Sequence, residues 1–123
     1  MPPAYPTVTG IAAVMVHVPD PIIGLDWYAR AFPEATPVSL PEFNFQCLRL
    51  AGVSLEIVQA DEKVGAGAMG LAVDWRVADF DAARAHLESL GATLYRGPMD
   101  IEDGLRMCKL RDPWGNLLGL RGP

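Results

Sequence analysis

The sequence has little of what most often does chemistry or binds polyanions. Its 123 residues include two cysteines and two histidines. Cys47 and Cys108 belong to no C-x-x-C pair and to no cluster with histidine, which excludes a zinc knuckle. Each sits in a strand-like run, as a buried small hydrophobe does, and no disulfide is expected. There is no basic run and no interleaving of basic with aromatic residues. Ten Lys and Arg against 15 Asp and Glu give a formal net charge of −5, so no nucleic-acid partner is expected. No apolar run reaches the length of a membrane span, so no membrane partner is expected either. The opening MPPAYPTVTG lacks the charged and apolar regions of a signal peptide, which makes a cytoplasmic location the expectation. Ser54 and Ser89 stand in no histidine–acid context that would make either a nucleophile. The glycine-rich GAGAMG at 65–70 follows no strand, opens no helix and lacks a phosphate-loop lysine, so it reads as a linker.

What is present is a hydrophobic chain of one-domain length, 50% apolar by composition. IAAVMVHV (11–18) is a β-branched run that breaks at PDP, where Asp20 can cap a helix and Pro21 can open it. Residues 21–32 carry Leu25, Tyr28, Ala29 and Phe32 on one helical face, and Pro33 and Pro37 end the helix. FNFQCLRL (43–50) and VSLEIVQ (53–59) are strands joined at Ala51-Gly52, as in a hairpin. The pattern then recurs. LAVDWRV (71–77) is a strand and Asp79 caps a helix over 80–90. That helix has a stripe of Phe80, Ala83, Leu87 and Leu90 and ends at Gly91. Three strand runs follow, beginning at ATLYRG, LRMCKLR and NLLGLRG. VPD at 18–20 matches VAD at 77–79, and the two cysteine-bearing strands fall in corresponding places. The chain reads as a tandem duplication of a β-α-β-β-β unit whose halves bury each other's faces. The expected organisation is one domain over residues 1–123, with module one at 10–59, a linker at 60–69 and module two at 70–123.

Three segments carry a resemblance to a known family. They are HVPDP with DWYARAF, then VADFDAARAHLESLGA, then DPWGNLLGL, whose D-P-x-G-N turn before an apolar strand is the most specific. Together with the duplication they resemble the vicinal-oxygen-chelate superfamily of glyoxalase I, extradiol dioxygenases, and fosfomycin and bleomycin resistance proteins. The resemblance spans nearly the whole chain. It implies an α+β fold of tandem βαβββ modules forming a curved, mixed but mostly antiparallel sheet around a cleft, with the helices outside. It also implies pairing as a homodimer.

Metal-binding members of the superfamily place His or Glu at four cleft-facing positions, on the first and last strands of each module. Those positions fall on Ala13, Glu56, Ala72 and Gly119 in this sequence. One carboxylate cannot hold a catalytic divalent ion, which takes about three protein ligands. The expectation is therefore no metal and no other cofactor. Strand alternation puts His17 on the face of Ala13, and Asp74 and Arg76 on the face of Ala72. His17, Glu56 and Asp74 form a candidate displaced metal set. Against it, His17 and Asp74 can be solvated at the cleft mouth while Glu56 pairs with Arg76, a cation that competes for the carboxylates.

The expected function is a metal-free small-molecule-binding protein. Its cleft, lined by Met15, His17, Glu56, Asp74 and Arg76 with Val58 and Phe43 or Phe45 nearby, takes a small polar or zwitterionic ligand. The alternative is a lyase, isomerase or dioxygenase of the superfamily, using the displaced site or Glu56 as a general base in an apolar pocket. A protein-binding module is a third class without positive support in the sequence. Trp27 and Trp75 read as packing residues, Trp114 as a rim or dimer-contact residue, and His86 as a surface residue.

Overall fold

The computed structural model describes residues 11–62, 65–67 and 72–123. The N-terminal ten residues, positions 63–64 and 68–69 of the expected linker, and the first two positions of module two, 70 and 71, lie outside the described residues. The elements run Ala13–Val18 (β1), Pro21–Ala31 (α1), Thr36–Leu40 (β2), Phe45–Leu50 (β3), Val53–Gln59 (β4), Val73–Arg76 (β5), Phe80–Ser89 (α2), Thr93–Asp100 (β6), Arg106–Arg111 (β7) and Leu117–Gly122 (β8). This is the duplicated β-α-β-β-β order expected from the sequence.

The strands form two four-stranded sheets of identical plan. Sheet one is ordered β1-β4-β3-β2 and sheet two β5-β8-β7-β6. In each, the first strand of the module pairs parallel with its last strand, and the remaining pairs are antiparallel. The helix between first and second strands makes this possible, because it carries the chain over the sheet before the strands return. The β3–β4 hairpin turns at Ala51 and Gly52, both with positive φ. Strand β2 was not placed from the sequence, because Pro37 reads as a breaker. It is tolerated there because β2 is an edge strand, where a missing N–H leaves no neighbour unpaired.

Both helices start as their sequences dictate. Asp20 accepts a hydrogen bond from Ile22 N at 3.0 Å, with Pro21 opening α1, and Asp79 accepts from Ala82 N at 3.0 Å. Gly24 lets α1 lie close on its sheet, since a Cβ there would meet the Cγ2 atoms of Val18 and Ile57 at 2.8 Å. On sheet one the helix side presents Val14, Val16, Val18, Leu48, Leu50, Leu55 and Ile57. On sheet two it presents Trp75, Cys108, Leu110, Leu118 and Leu120. Both sets join one core together with Trp27, Tyr28, Phe32, Phe80 and Leu87 from the helices and their ends. Cys47 and Cys108 are free and buried, as expected. No helix among the described residues is long and apolar enough to cross a membrane.

The modules are tied at the Asp112–Asn116 turn and along the two helices. Asp112 is buried, and its carboxylate accepts four hydrogen bonds. Trp114 N and Asn116 N donate to Oδ1 at 2.9 Å, Tyr28 OH donates to Oδ2 at 2.6 Å, and Asn116 Nδ2 donates to Oδ2 at 3.1 Å. Asn116 Nδ2 also donates to His17 O at 2.9 Å, which pins the end of β1. Trp27 Nε1 donates to Leu90 O at 2.8 Å, and His86 Nε2 lies 2.9 Å from Arg30 O, so this histidine also ties the helices together from its exposed position. Phe32 packs on Trp75 with ring centroids 5.4 Å apart. Trp114 is not a rim residue. It turns inward and meets Trp27 edge-on at 5.9 Å, because its backbone is held by Asp112 in a turn that aims the indole at α1.

Burial, and then the neighbouring Asp112 carboxylate, push the Tyr28 hydroxyl well above the usual tyrosine range, so it remains a donor. Tyr28→Phe is expected to lose about 1–3 kcal/mol in urea unfolding, because a buried carboxylate then lacks one partner. The raised value also favours the folded state only while the phenol is protonated in the unfolded chain. Stability is therefore expected to fall as pH rises above about 10, and to fall less steeply in Tyr28→Phe. Parallel slopes for the two proteins would contradict the assignment.

Candidate functional site

Each sheet has one face under its helix and one face open. Alternation along the strands places Ala13, Met15 and His17 of β1, and Ser54, Glu56 and Val58 of β4, on the open face of sheet one. Met15 lies directly beside Glu56 and His17 beside Val58. Met15 is 55% exposed and Phe43, held in a short 3-10 turn, is 73% exposed. Glu56 is half-buried, and its partner is not an arginine. Ser54 Oγ, two residues back on the same strand face, donates to Glu56 Oε2 at 3.0 Å, and Cys47 Sγ lies 3.5 Å from that hydroxyl. The signal was present in the sequence as an i, i+2 pair on a strand, and the functional reading passed over it.

The open face of sheet two is of another character. It carries Asp74 and Arg76 of β5, Leu117, Gly119 and Arg121 of β8, Met107, Lys109 and Arg111 of β7, and Arg96 and Met99 of β6. Asp74 is the hinge of this face. Lys109 Nζ bonds its Oδ1 at 2.5 Å and Arg121 Nε bonds its Oδ2 at 2.8 Å. The Asp74 and Lys109 side chains are 18% and 16% exposed, so the pair is screened far less than a surface ion pair.

Gly119 pairs with Asp74 in the parallel ladder, and the Asp74 carboxylate lies over it. A Cβ on Gly119 would collide with Asp74 Oδ1. The side-chain space at this position, which the resemblance marks for a metal ligand, is thus filled by an ion-paired carboxylate.

The donors do not fit a divalent ion. Ala13, Ala72 and Gly119 offer none, and Asp74 has both oxygens committed to cations. No three His, Cys, Asp or Glu among the described residues are grouped so as to hold a metal. His17, Glu56 and Asp74 are not brought together as a ligand set. No salt bridge joins Glu56 to Arg76 among the described residues, because the two residues stand on the open faces of different sheets. The links between modules run instead through the helix side and the Asp112–Asn116 turn.

Two cavities among the described residues bear on the site. The larger, about 980 Å³, lies between α1 and the outer strands of sheet one, lined by Leu25, Ala29, Pro37, Gln46, Leu48 and Ile57 among others. The smaller, about 160 Å³, lies on sheet two among Arg96, Met99, Met107, Cys108 and Lys109.

No protein-family model matches the sequence, and no curated protein matches it. Solved structures do match. TnmS3, an antibiotic binding protein from Streptomyces sp. CB03234, is 26% identical, with 97% of this chain and 99% of that chain covered and a TM-score of 0.71. A glyoxalase/bleomycin resistance protein/dioxygenase family enzyme from Burkholderia phytofirmans PsJN is 15% identical over 90% of this chain and 96% of that one, with a TM-score of 0.72. FosX, a genomically encoded fosfomycin resistance protein from Listeria monocytogenes, is 13% identical over 95% of each chain, with a TM-score of 0.75.

The Gly119–Asp74 packing makes a direct prediction. Gly119→Ala is expected to cost about 1–3 kcal/mol in denaturant unfolding, as overpacking does. In an Asp74→Ala background the same substitution should cost close to nothing. An equal penalty in both backgrounds would remove the steric account.

Proposed function

The chain has the fold of the vicinal-oxygen-chelate superfamily, and on that premise we propose that it is a small-molecule-binding protein that works without a metal ion. The observation that carries the proposal is the replacement of ligand positions. Ala13, Ala72 and Gly119 have no donor atoms, and the Asp74 carboxylate that fills the space at Gly119 is neutralised by Lys109 and Arg121. One carboxylate shared by two cations gives a cluster of net positive charge, which repels a further cation. TnmS3, with the highest identity of the three structures above, is described as an antibiotic binding protein, which supports a binding role rather than a metal-dependent reaction.

The ligand site is the pair of open faces, with Met15, His17, Glu56 and Val58 on one sheet and Asp74 and Arg76 on the other. Apolar area with a few charges to orient a ligand is the usual composition of such sites. Within one chain no hydrogen bond, salt bridge or ring contact between described residues joins these two faces. We place the working site in a homodimer, where a second copy covers the exposed Met15 face. Uncovered apolar sheet faces and free edges favour such pairing. The two free buried thiols fit a reducing compartment, consistent with the cytoplasm.

Three measurements test this reading. Protein purified without chelators is expected to hold far less than one equivalent of zinc, manganese, nickel or iron. Stoichiometric metal that disappears in Glu56→Ala would overturn the metal-free assignment. Sedimentation equilibrium is expected to show a dimer, and a monomer at all concentrations would refute the shared site. A thermal-shift screen of small molecules is expected to yield a stabilising ligand. Glu56→Gln should leave the melting temperature of the free protein nearly unchanged or raised, because groups held for binding are often kept at a cost to stability. The ligand-induced shift should vanish in Glu56→Gln and in Arg76→Met.

A further inference from the structure

Two rows of side chains cross the open face of sheet two. Asp74, Gly119, Lys109 and Arg96 stand in one row, and Arg76, Arg121, Met107 and Met99 in the next. Arg111 follows in the row beyond, between Leu117 and Thr93. Five of the chain's ten basic residues therefore share one sheet face with a single acid, Asp74, in a protein whose net charge is −5. Asp74 satisfies Lys109 and Arg121. Arg111 lies over the Tyr95 ring, 4.5 Å from its centroid. Arg76 and Arg96 have no carboxylate partner among the described residues. Arg76 stands directly beside Arg121 in the parallel register, an arrangement of like charges that weakens a sheet. Strands lie about 4.8 Å apart, so these cations fall within reach of one small molecule.

The sheet is also shaped at this point. Strand β6 shifts register on both sides of Arg96, and Gly97 in that irregularity has φ +87°, with a Cβ there only 2.9 Å from Met107 O. Such irregularities re-aim side chains next to binding sites. Here they accompany the cavity of about 160 Å³ lined by Arg96, Met99, Met107, Cys108 and Lys109, whose surface is almost entirely apolar. Drug-sized ligands occupy roughly 300–1,000 Å³, so this cavity takes one ring or a short chain.

We infer that the cavity binds a small organic acid, an anionic carboxylate or phosphonate head on an aromatic ring or short apolar chain. Arg96 and Lys109 hold the head, and Met99 and Met107 pack the body. A guanidinium meets either head group with two parallel hydrogen bonds. Lys109 has donors left after bonding Asp74. Methionine pairs adapt to ligands of varied outline. Asp74 acts as a positioning residue that fixes the Lys109 ammonium on this face. The inference rests on the small-molecule-binding reading and adds to it the charge of the ligand.

The test titrates the full chain with benzoate, phenylphosphonate, inorganic phosphate, benzyl alcohol and benzylamine, followed by protein NMR. Benzoate or phenylphosphonate is expected to bind saturably, with shifts centred on Arg96, Met99 and Met107, and to weaken as salt is added. Whichever binds more tightly identifies the head group. Inorganic phosphate, benzyl alcohol and benzylamine should each bind roughly ten-fold more weakly or not at all. Arg96→Gln, at an exposed position, should leave the fold intact and weaken the acid by roughly ten-fold. Benzylamine binding as well as the acids, inorganic phosphate matching phenylphosphonate, no binding of either acid, or an Arg96→Gln protein that binds unchanged would overturn the inference. A neutral or cationic ligand that stabilises the protein and loses its effect in Glu56→Gln would do so too, while leaving the small-molecule-binding reading in place.

Discussion

The buried carboxylate of Asp112 is the constraint on which the arrangement of the two modules depends. A charge taken out of water is tolerated only with partners, and this one has four hydrogen bonds from three residues. Two come from the turn's own backbone and shape it. One comes from Asn116, which also reaches the end of β1. The fourth comes from Tyr28 on the helix of the other module. Loop geometry, module packing and the inward turn of Trp114 thus follow from the demands of one anion. The same turn launches β8, so the Asp112 network also sets the register that brings Gly119 beside Asp74.

That register decides the chemistry. In a sheet the partner of a side chain is chosen by neighbouring strands, not by neighbours in sequence. Asp74 lies between the two bases that its parallel partner β8 and the next strand β7 supply on the same face. In the resulting cluster one carboxylate serves two cations and fills the space beside Gly119. Sheet one has no such cluster. Its acid, Glu56, accepts from the Ser54 hydroxyl, has no cation partner among the described residues and is half-buried.

Most of the fold was legible in the sequence because it rests on local signals repeated twice. Asp20 and Asp79 cap their helices, Ala51-Gly52 turns the hairpin, and alternation correctly puts Trp75 and Asp74 on opposite faces. Strand β2 was hidden by Pro37, which is permitted only because β2 is an edge. The site was less legible. Which residues face the cleft side follows from alternation, but which of them touch depends on pairing across three strands and on where the modules meet. Lys109 and Arg121 were passed over because only the strands carrying the four ligand positions were searched for cleft-facing charges, and the last of them was read as apolar. Arg76 was matched to Glu56 because both were assigned to one cleft, whereas they stand on different sheets. The register shifts at Arg96 had no signal beyond Gly97-Pro98.

The Gly119–Asp74 contact also bears on how such a protein can change. A carboxylate or imidazole at position 119 has no room while Asp74 is present. Loss of Asp74 alone would leave two cations side by side without their counter-charge, one of them largely buried. Donors would still be missing at Ala13 and Ala72. A donor at position 119, or loss of Asp74 alone, therefore passes through a less stable protein. The packing of one glycine against one aspartate thus ties positions 74 and 119 together, so that neither can change freely without the other.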